Sequence, residues 1–353
     1  MIANGNKTTG AAAFLKSRPG LPGILGDGVE KSMLSLGDQL VVSATGFLSG
    51  VIVARYCSLA ELGAYHLAIS VLLILRGIQA ELVTSPFAIY SYRRSDEQLD
   101  TYTGSVLVHQ TVCILAAFLL LCALCLATLQ GLTPTAFRAV MPALLFAGPM
   151  VLIREYCRQH SFARLQFDVA VVTDLSVLAI QLVGLYWVAT ASELTVSLAF
   201  WIIGAACGIA CFTWWSASRP RFRVEPRQVI SDWRQNWSFG RWALTSYLVC
   251  STTPALMTWI VAWLRSEEEA GKLAACVTLI GLSNLFTTAI ANFLTPKTAA
   301  VYATEGIIGL RRVCGKVTLL FGMVLGCFSA LVFITGDWPV SYTHLTLPTT
   351  PYV

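Results

Sequence analysis

The sequence predicts an all-α polytopic membrane protein with nine transmembrane helices, one six-helix bundle followed by the first three helices of a second, parallel pseudo-repeat. Three observations carry that reading. Of 353 residues, 56% are hydrophobic and only 12% charged, with a mean hydropathy of +0.68; a soluble domain carries about 25% charged residues. The apolar residues fall in long runs of membrane-spanning length. The basic residues cluster in alternate connections between those runs, which is the signature of chain orientation in a bilayer.

Taken in order, residues 1–32 are rich in Gly, Lys and small polar residues without periodicity, and read as a flexible cytoplasmic tail lacking a cleavable signal peptide. The first two spans, 36–54 and 63–89, flank the turn RYCSLAEL. Gly46 and Gly50 give the first a small-xxx-small face for close helix approach. The third span covers about 104–129, and the fourth 137–153, with Pro142 and Pro149 as kink points. REYCRQHSFARLQF then reads as a basic loop before spans five and six, 169–189 and 194–215. The domain reading is a bundle over 33–217, a basic cytoplasmic linker over 218–240, and the first half of a second bundle over 241–339. That half holds spans at 242–264, 271–294 and 317–335.

An N-terminus in the cytoplasm puts 19 of the 24 Lys and Arg residues on the inner side, Arg154, Arg158 and Arg164 among them. The net charge of +5 is thereby a matter of topology and implies no nucleic-acid partner. The eleven cysteines sit singly in apolar runs, and the Cys122–Cys125 pair lies inside a span without zinc-like spacing, so no metal or other cofactor is implied. GLRRVCGKVT misses the phosphate-loop spacing, and no HExxH or GxSxG occurs, so an enzyme is not expected.

A repeat is legible in paired landmarks. Leu36-Gly37 and Phe239-Gly240 are 203 residues apart, Gly63 and Gly271 are 208 apart, and Pro86 and Pro296 are 210 apart. A unit with an even number of spans gives two copies in the same orientation, related by an axis along the membrane normal.

Intramembrane polar residues are the functional candidates. Arg76 lies about 20 Å along the second helix, near the middle of a hydrocarbon core about 30 Å thick. His66, Ser70, Gly77, Glu81 and Thr84 share an arc of about 60° on that helix, with Arg76 on its flank. Arg76 and Glu81 point about 140° apart and are not assumed to pair. Asp38 begins a stripe with Thr45, Ser49 and Tyr56 on the first helix. Asp174 and Gln181 share a face of the fifth, and the 208-residue offset maps Arg76 onto Asn284. Arg76, with His66, Ser70 and Asn284, is the candidate substrate-binding set, because guanidinium engages phosphate oxygens two at a time. A structural ion pair is the competing role for Arg76. Glu81, Asp38 and Asp174 are the candidates for proton or cation coupling, against structural hydrogen bonding.

Gly37-Asp38-Gln39, Phe47, Val53-Ala54-Arg55, Glu61-Leu62-Gly63-Ala64-Tyr65 and Ser85-Pro86 resemble the opening of bacterial polysaccharide-exporter membrane proteins. These are the oligosaccharide flippases of the multidrug/oligosaccharidyl-lipid/polysaccharide exporter superfamily. The resemblance is strongest over about residues 33–110. It implies two six-helix bundles around a central cavity, and flipping of a lipid-linked oligosaccharide by alternating access in a bacterial cytoplasmic membrane. Membrane lipids surround such a protein, and glycan polymerases and glycosyltransferases are its implied partners. Two alternatives are a cation-coupled multidrug exporter of the same superfamily and a membrane-embedded glycan polymerase or ligase, the latter disfavoured by short outer loops. Against the family pattern the chain is expected to be C-terminally truncated. Residues 340–353, VSYTHLTLPTTPYV, resemble a translated sequencing adapter.

Overall fold

The computed structural model describes residues 21–335 apart from 92–93, 132, 165 and 219–220, with side chains over 21–33, 278–300 and a few other helical positions left aside. Candidate residue Asn284 and the adapter-like segment 340–353 therefore lie outside the described residues, as does most of the expected N-terminal tail. The described chain is helical throughout: α1 (Leu21–Tyr56), α2 (Leu59–Gln79), a π-helical turn (Ala80–Thr84), α3 (Ser85–Ser91), α4 (Asp96–Leu129), α5 (Thr135–Ala163), α6 (Phe167–Ala191), α7 (Val196–Ser218), α8 (Pro226–Leu264) and α9 (Glu267–Thr335).

Local chemistry sets these boundaries. Ser58 caps α2 through a reciprocal box with Glu61, each side chain meeting the other's backbone N–H, so two orphan donors are satisfied at once. Ser95 and Gln98 form the same device at the start of α4. Pro226 opens α8 at the one helical position where a missing N–H costs nothing.

The structure differs from the sequence reading in span count and in local structure. Seven described helices are long and apolar enough to cross a membrane, or eight counting α8 as one span bent by 41° between Cys250 and Ala255. Nine are not confirmed, and the side chains over most of the expected span 271–294 are not described. The basic loop after Ile153 is instead the last three turns of α5, so Arg154 and Arg158 sit in a helix and are buried. Residues 226–240 of the expected linker are the first turns of α8. The expected ninth span overlaps the candidate span Glu305–Leu331, in the second of two helical parts of α9 that meet at Gly306 with φ 65°, a backbone region open to glycine.

Helix α5 is the pillar of the first six spans, packing on α2, α4, α6 and α7, while α1 lies along α6. Phe137, Leu144, Leu67, Leu121, Phe200 and Leu185 form its fully buried apolar core. Leu119, Val183, Trp187 and Trp263 stay largely exposed on the outer faces, as a lipid-facing surface requires.

The later helices join this bundle along its length, most closely at its two ends. Near the starts of α2 and α9, a Cβ on Gly63 would strike the carbonyl oxygen of Glu267, and one on Gly271 that of Leu59. Only hydrogen on both Cα atoms lets the backbones cross this closely. Leu59 and Glu267, like Gly63 and Gly271, are 208 residues apart, so the contact is reciprocal, each residue of one pair meeting the counterpart of the other. At the opposite end, Arg94 pairs with Asp232 of α8 at 2.8 Å and stacks 3.7 Å over the Tyr102 ring. Tyr102 donates to Asn236 at 2.9 Å, and His109 lies 3.0 Å from the Val229 carbonyl and against Trp233.

Candidate functional site

Six charged side chains converge inside the first bundle from four helices. Arg154, Glu155 and Arg158 occupy one turn of α5, with Asp38 on α1, Arg76 on α2 and Asp174 on α6. Three guanidinium groups thus face three carboxylates. Asp38 is fully buried and Asp174 1% exposed, and Arg154, Glu155 and Arg158 are nearly as enclosed. Arg76 differs: 30% of its side chain is exposed, against 8–9% for the other two arginines.

Arg158 is the hub. Its Nε donates to Asp38 Oδ2 at 2.8 Å, and its terminal nitrogens reach Asp38 Oδ2 at 2.7 Å and Glu155 Oε1 at 3.2 Å. The same Nε lies 3.1 Å from Asp174 Oδ2, but its single hydrogen is already given to Asp38. Arg154 donates to Asp174 Oδ1 at 2.5 Å. Arg76 donates to Glu155 Oε2 at 2.8 Å, and Gln159 to Oε1 at 3.1 Å. Two carboxylate oxygens, Asp38 Oδ1 and Asp174 Oδ2, are buried without a hydrogen-bond partner among the described residues. The two carboxyl groups flank the same Arg158 Nε, Asp38 Oδ2 at 2.8 Å and Asp174 Oδ2 at 3.1 Å. A single proton held between them satisfies both, whereas two adjacent buried carboxylates repel. Beside the cluster, Gln181 donates to Ser49 at 2.7 Å, linking α6 to α1.

Next to Arg76, α2 packs on α8: a Cβ on Gly77 would overlap the Tyr247 ring, and the Tyr247 hydroxyl donates to the Leu73 carbonyl at 2.8 Å.

Of the candidates read from the sequence, Asp38, Asp174 and Arg76 are brought together, each through an arginine or glutamate of α5. Ser70 is buried two turns away, donating to Leu67 O and accepting from Trp259 Nε1 of α8 at 2.8 Å. His66 is half-buried, edge-on to Tyr65. Glu81 sits in the π-helical turn, where Gly240 of α8 approaches its carbonyl oxygen at the closest point. Two cavities lie elsewhere: a polar cleft of about 500 Å³ beside Arg94, Glu97 and Arg223, and an apolar crevice of about 220 Å³ under His109 and Trp233. The sequence reading missed Arg154, Glu155 and Arg158. The i, i+3 spacing of Glu155 and Arg158, directly following the apolar run that ends at Ile153, was the available signal.

No protein-family model matches this sequence, and no curated protein does. Solved structures do. The fold is similar to the MATE multidrug transporter DinF-BH, at TM-score 0.64 and 14% identity over 90% of this chain and 74% of that one. It is similar to an inward-facing multidrug resistance MATE family transporter of the MOP superfamily, at TM-score 0.61 and 12% identity over 83% and 70%. A MOP superfamily transporter from Pyrococcus furiosus, described as having a binding pocket of reverse polarity that suggests a different function, matches at TM-score 0.54 and 13% identity over 91% and 74%. At these identities the likeness establishes a shared helical membrane fold.

Proposed function

We propose that this chain is a non-enzymatic secondary transporter of the MOP superfamily, exporting small organic compounds across a bacterial cytoplasmic membrane in exchange for a cation. The observation that carries the proposal is the Asp38–Asp174 pair: two carboxylates from different helices, buried together, each with one oxygen that accepts no hydrogen bond among the described residues. Such a pair holds a proton or cation at a depth where a charge is otherwise expensive. In this reading Asp38 and Asp174 are the coupling residues, with Glu81 in the π-helical turn as a further acid on the path. Ser70, His66 and Arg76 line the route on the first bundle, and Asn284 is their counterpart on the second. The reciprocal Gly63–Gly271 contact supports two half-transporters related by an axis along the membrane normal and rocking against one another. The membrane orientation is N-terminus inside, and no nucleic acid or resident cofactor is involved.

The fold neighbours favour multidrug export over glycan flipping. A second reading, flipping of a lipid-linked oligosaccharide alongside a glycan polymerase and glycosyltransferases, is favoured by Arg76, a partly exposed guanidinium deep in the bundle, and by the sequence motifs of α1 and α2. The test is the full chain in proteoliposomes under an imposed proton or sodium gradient, assayed with a lipophilic fluorescent dye and, separately, a labelled lipid-linked glycan. Gradient-driven dye movement, lost in Asp38→Asn and Asp174→Asn, is the expected result. Glycan movement without dye movement favours the second reading. Dye movement unchanged in both variants overturns the coupling role.

A further inference from the structure

We propose that the six-residue network makes Arg76 an anion-binding site gated by protonation of the buried Asp38–Asp174 pair. This rests on reading that pair as a proton-accepting site, as above. The ligand class is a phosphate- or sulfate-like anionic group on an amphiphile.

The charges come from every helix around the site. Asp38 projects from α1, Arg76 from α2, Asp174 from α6, and Arg154, Glu155 and Arg158 from α5. Cys157 of α5 and Cys207 and Cys211 of α7 are the titratable neighbours of Arg154 and Asp174, and Tyr247 and Glu81 those of Arg76. With all three carboxylates ionised, the three guanidiniums are balanced. One proton shared between Asp38 Oδ1 and Asp174 Oδ2 leaves a single positive charge in excess.

The geometry decides where that charge goes. Arg154 keeps its 2.5 Å bond to Asp174 Oδ1, on the side away from the shared proton. Arg158 loses part of its hold on Asp38 and already touches Glu155 at 3.2 Å, so Glu155 takes over as its main partner. Glu155 is also the sole ion-pair partner of Arg76 among the described residues, at 2.8 Å. The excess positive charge therefore settles on Arg76, because an unpaired cation costs least where water reaches it, and its side chain is 30% exposed against 8–9% for its rivals. Arg76 Nε has no hydrogen-bond partner among the described residues, and with the freed terminal nitrogens it offers an anion a two-point contact. Proton and anion then bind together, whereas protonation disfavours a cationic cargo at the same place, as exchange of that cargo for a proton requires.

The test is calorimetric titration of the full chain in phosphatidylcholine nanodiscs with hexyl sulfate, whose charge is constant between pH 5.5 and 7.5. Hexyltrimethylammonium is the matched cation. The expected result is tighter hexyl sulfate binding at pH 5.5, by up to tenfold per pH unit, with close to one proton taken up per anion, and the opposite trend for the cation. Asp38→Asn and Glu155→Gln should bind the anion tightly at both pH values, and Arg76→Gln weakly at both. Repeating the titration in phosphatidylglycerol nanodiscs separates the sources: competition there assigns the site to a lipid headgroup, its absence to a soluble or cargo anion. Equal affinity at both pH values, or pH dependence surviving Arg76→Gln, overturns the gated site. Dye transport without proton-linked anion binding removes this inference and leaves the transporter standing. Proton-linked binding without transport does the reverse.

Discussion

Removing the hub of the charge network is the most informative single perturbation. Arg158→Met keeps the length and much of the apolar stem but deletes the cation that meets Asp38, Glu155 and Asp174 at 2.7–3.2 Å. At an effective dielectric of 20, each unit pair at about 4 Å is worth about 4 kcal/mol of gross attraction, most of it offset by the cost of taking the charges out of water. The net loss on breaking a buried pair from one side is about 3–5 kcal/mol, because the partners stay behind uncompensated. That is a large share of a typical stability of about 5–15 kcal/mol. Chemical unfolding of the purified chain in detergent, followed by tryptophan fluorescence, measures it. A double-mutant cycle supplies the mechanism: Asp38 has no other ion-pair partner among the described residues, so adding Asp38→Asn to Arg158→Met removes the stranded carboxylate and should restore about 1–3 kcal/mol. A loss below about 1 kcal/mol for Arg158→Met, or no recovery in the double variant, would refute the view that these charges form one interdependent unit.

Neutral polar links should matter far less. Gln181→Leu breaks the buried bond to Ser49, yet hydrogen bonds between membrane helices average about 0.6 kcal/mol, so its unfolding midpoint should sit close to the parent's and well above that of Arg158→Met. Tyr102→Phe strands a fully buried Asn236 and should cost about 1–3 kcal/mol in the same measurement. Gly63→Val pushes side-chain atoms into the Glu267 carbonyl and should destabilise by about 1–3 kcal/mol, read as a lower melting temperature. Orientation is checked by accessibility: Glu193→Cys should gain labelling by an impermeant maleimide added outside intact cells, and Arg221→Cys should gain it only after permeabilisation.

Much of the fold was legible because membrane helices announce themselves by length and apolarity, and intramembrane charges by rarity. Asp38, Asp174 and Arg76 stood out for that reason, and all three lie in the network. Arg154, Glu155 and Arg158 did not, because they follow directly on an apolar run. Basic residues in that place satisfy the orientation rule as a loop just as well as they fit a helix. What distinguishes the two cases is the presence of carboxylates at the same depth on neighbouring helices, a tertiary fact. The wheel geometry rightly kept Arg76 and Glu81 from being written as a pair, but nothing local could name Glu155, 79 residues away, as its partner. The continuous α8 was hidden similarly: its first turns are polar, and the apolar run starts only near Trp242.

The π-helical turn at Ala80–Thr84 also bears on how this chain tolerates insertions and deletions. Such a turn accommodates one residue more than a regular helix of the same rise, so the helix carries a removable residue midway through its second span. Excising Leu82 would let the segment close into an ordinary α-helix without breaking the chain path. Because the turn absorbs the extra residue locally, the segments on either side would keep their mutual facing, and the fully buried Phe87 would stay turned into the core. A single-codon deletion here would therefore be tolerated by both backbone and packing, whereas the same deletion in the regular helix before it would rotate everything downstream by about 100°.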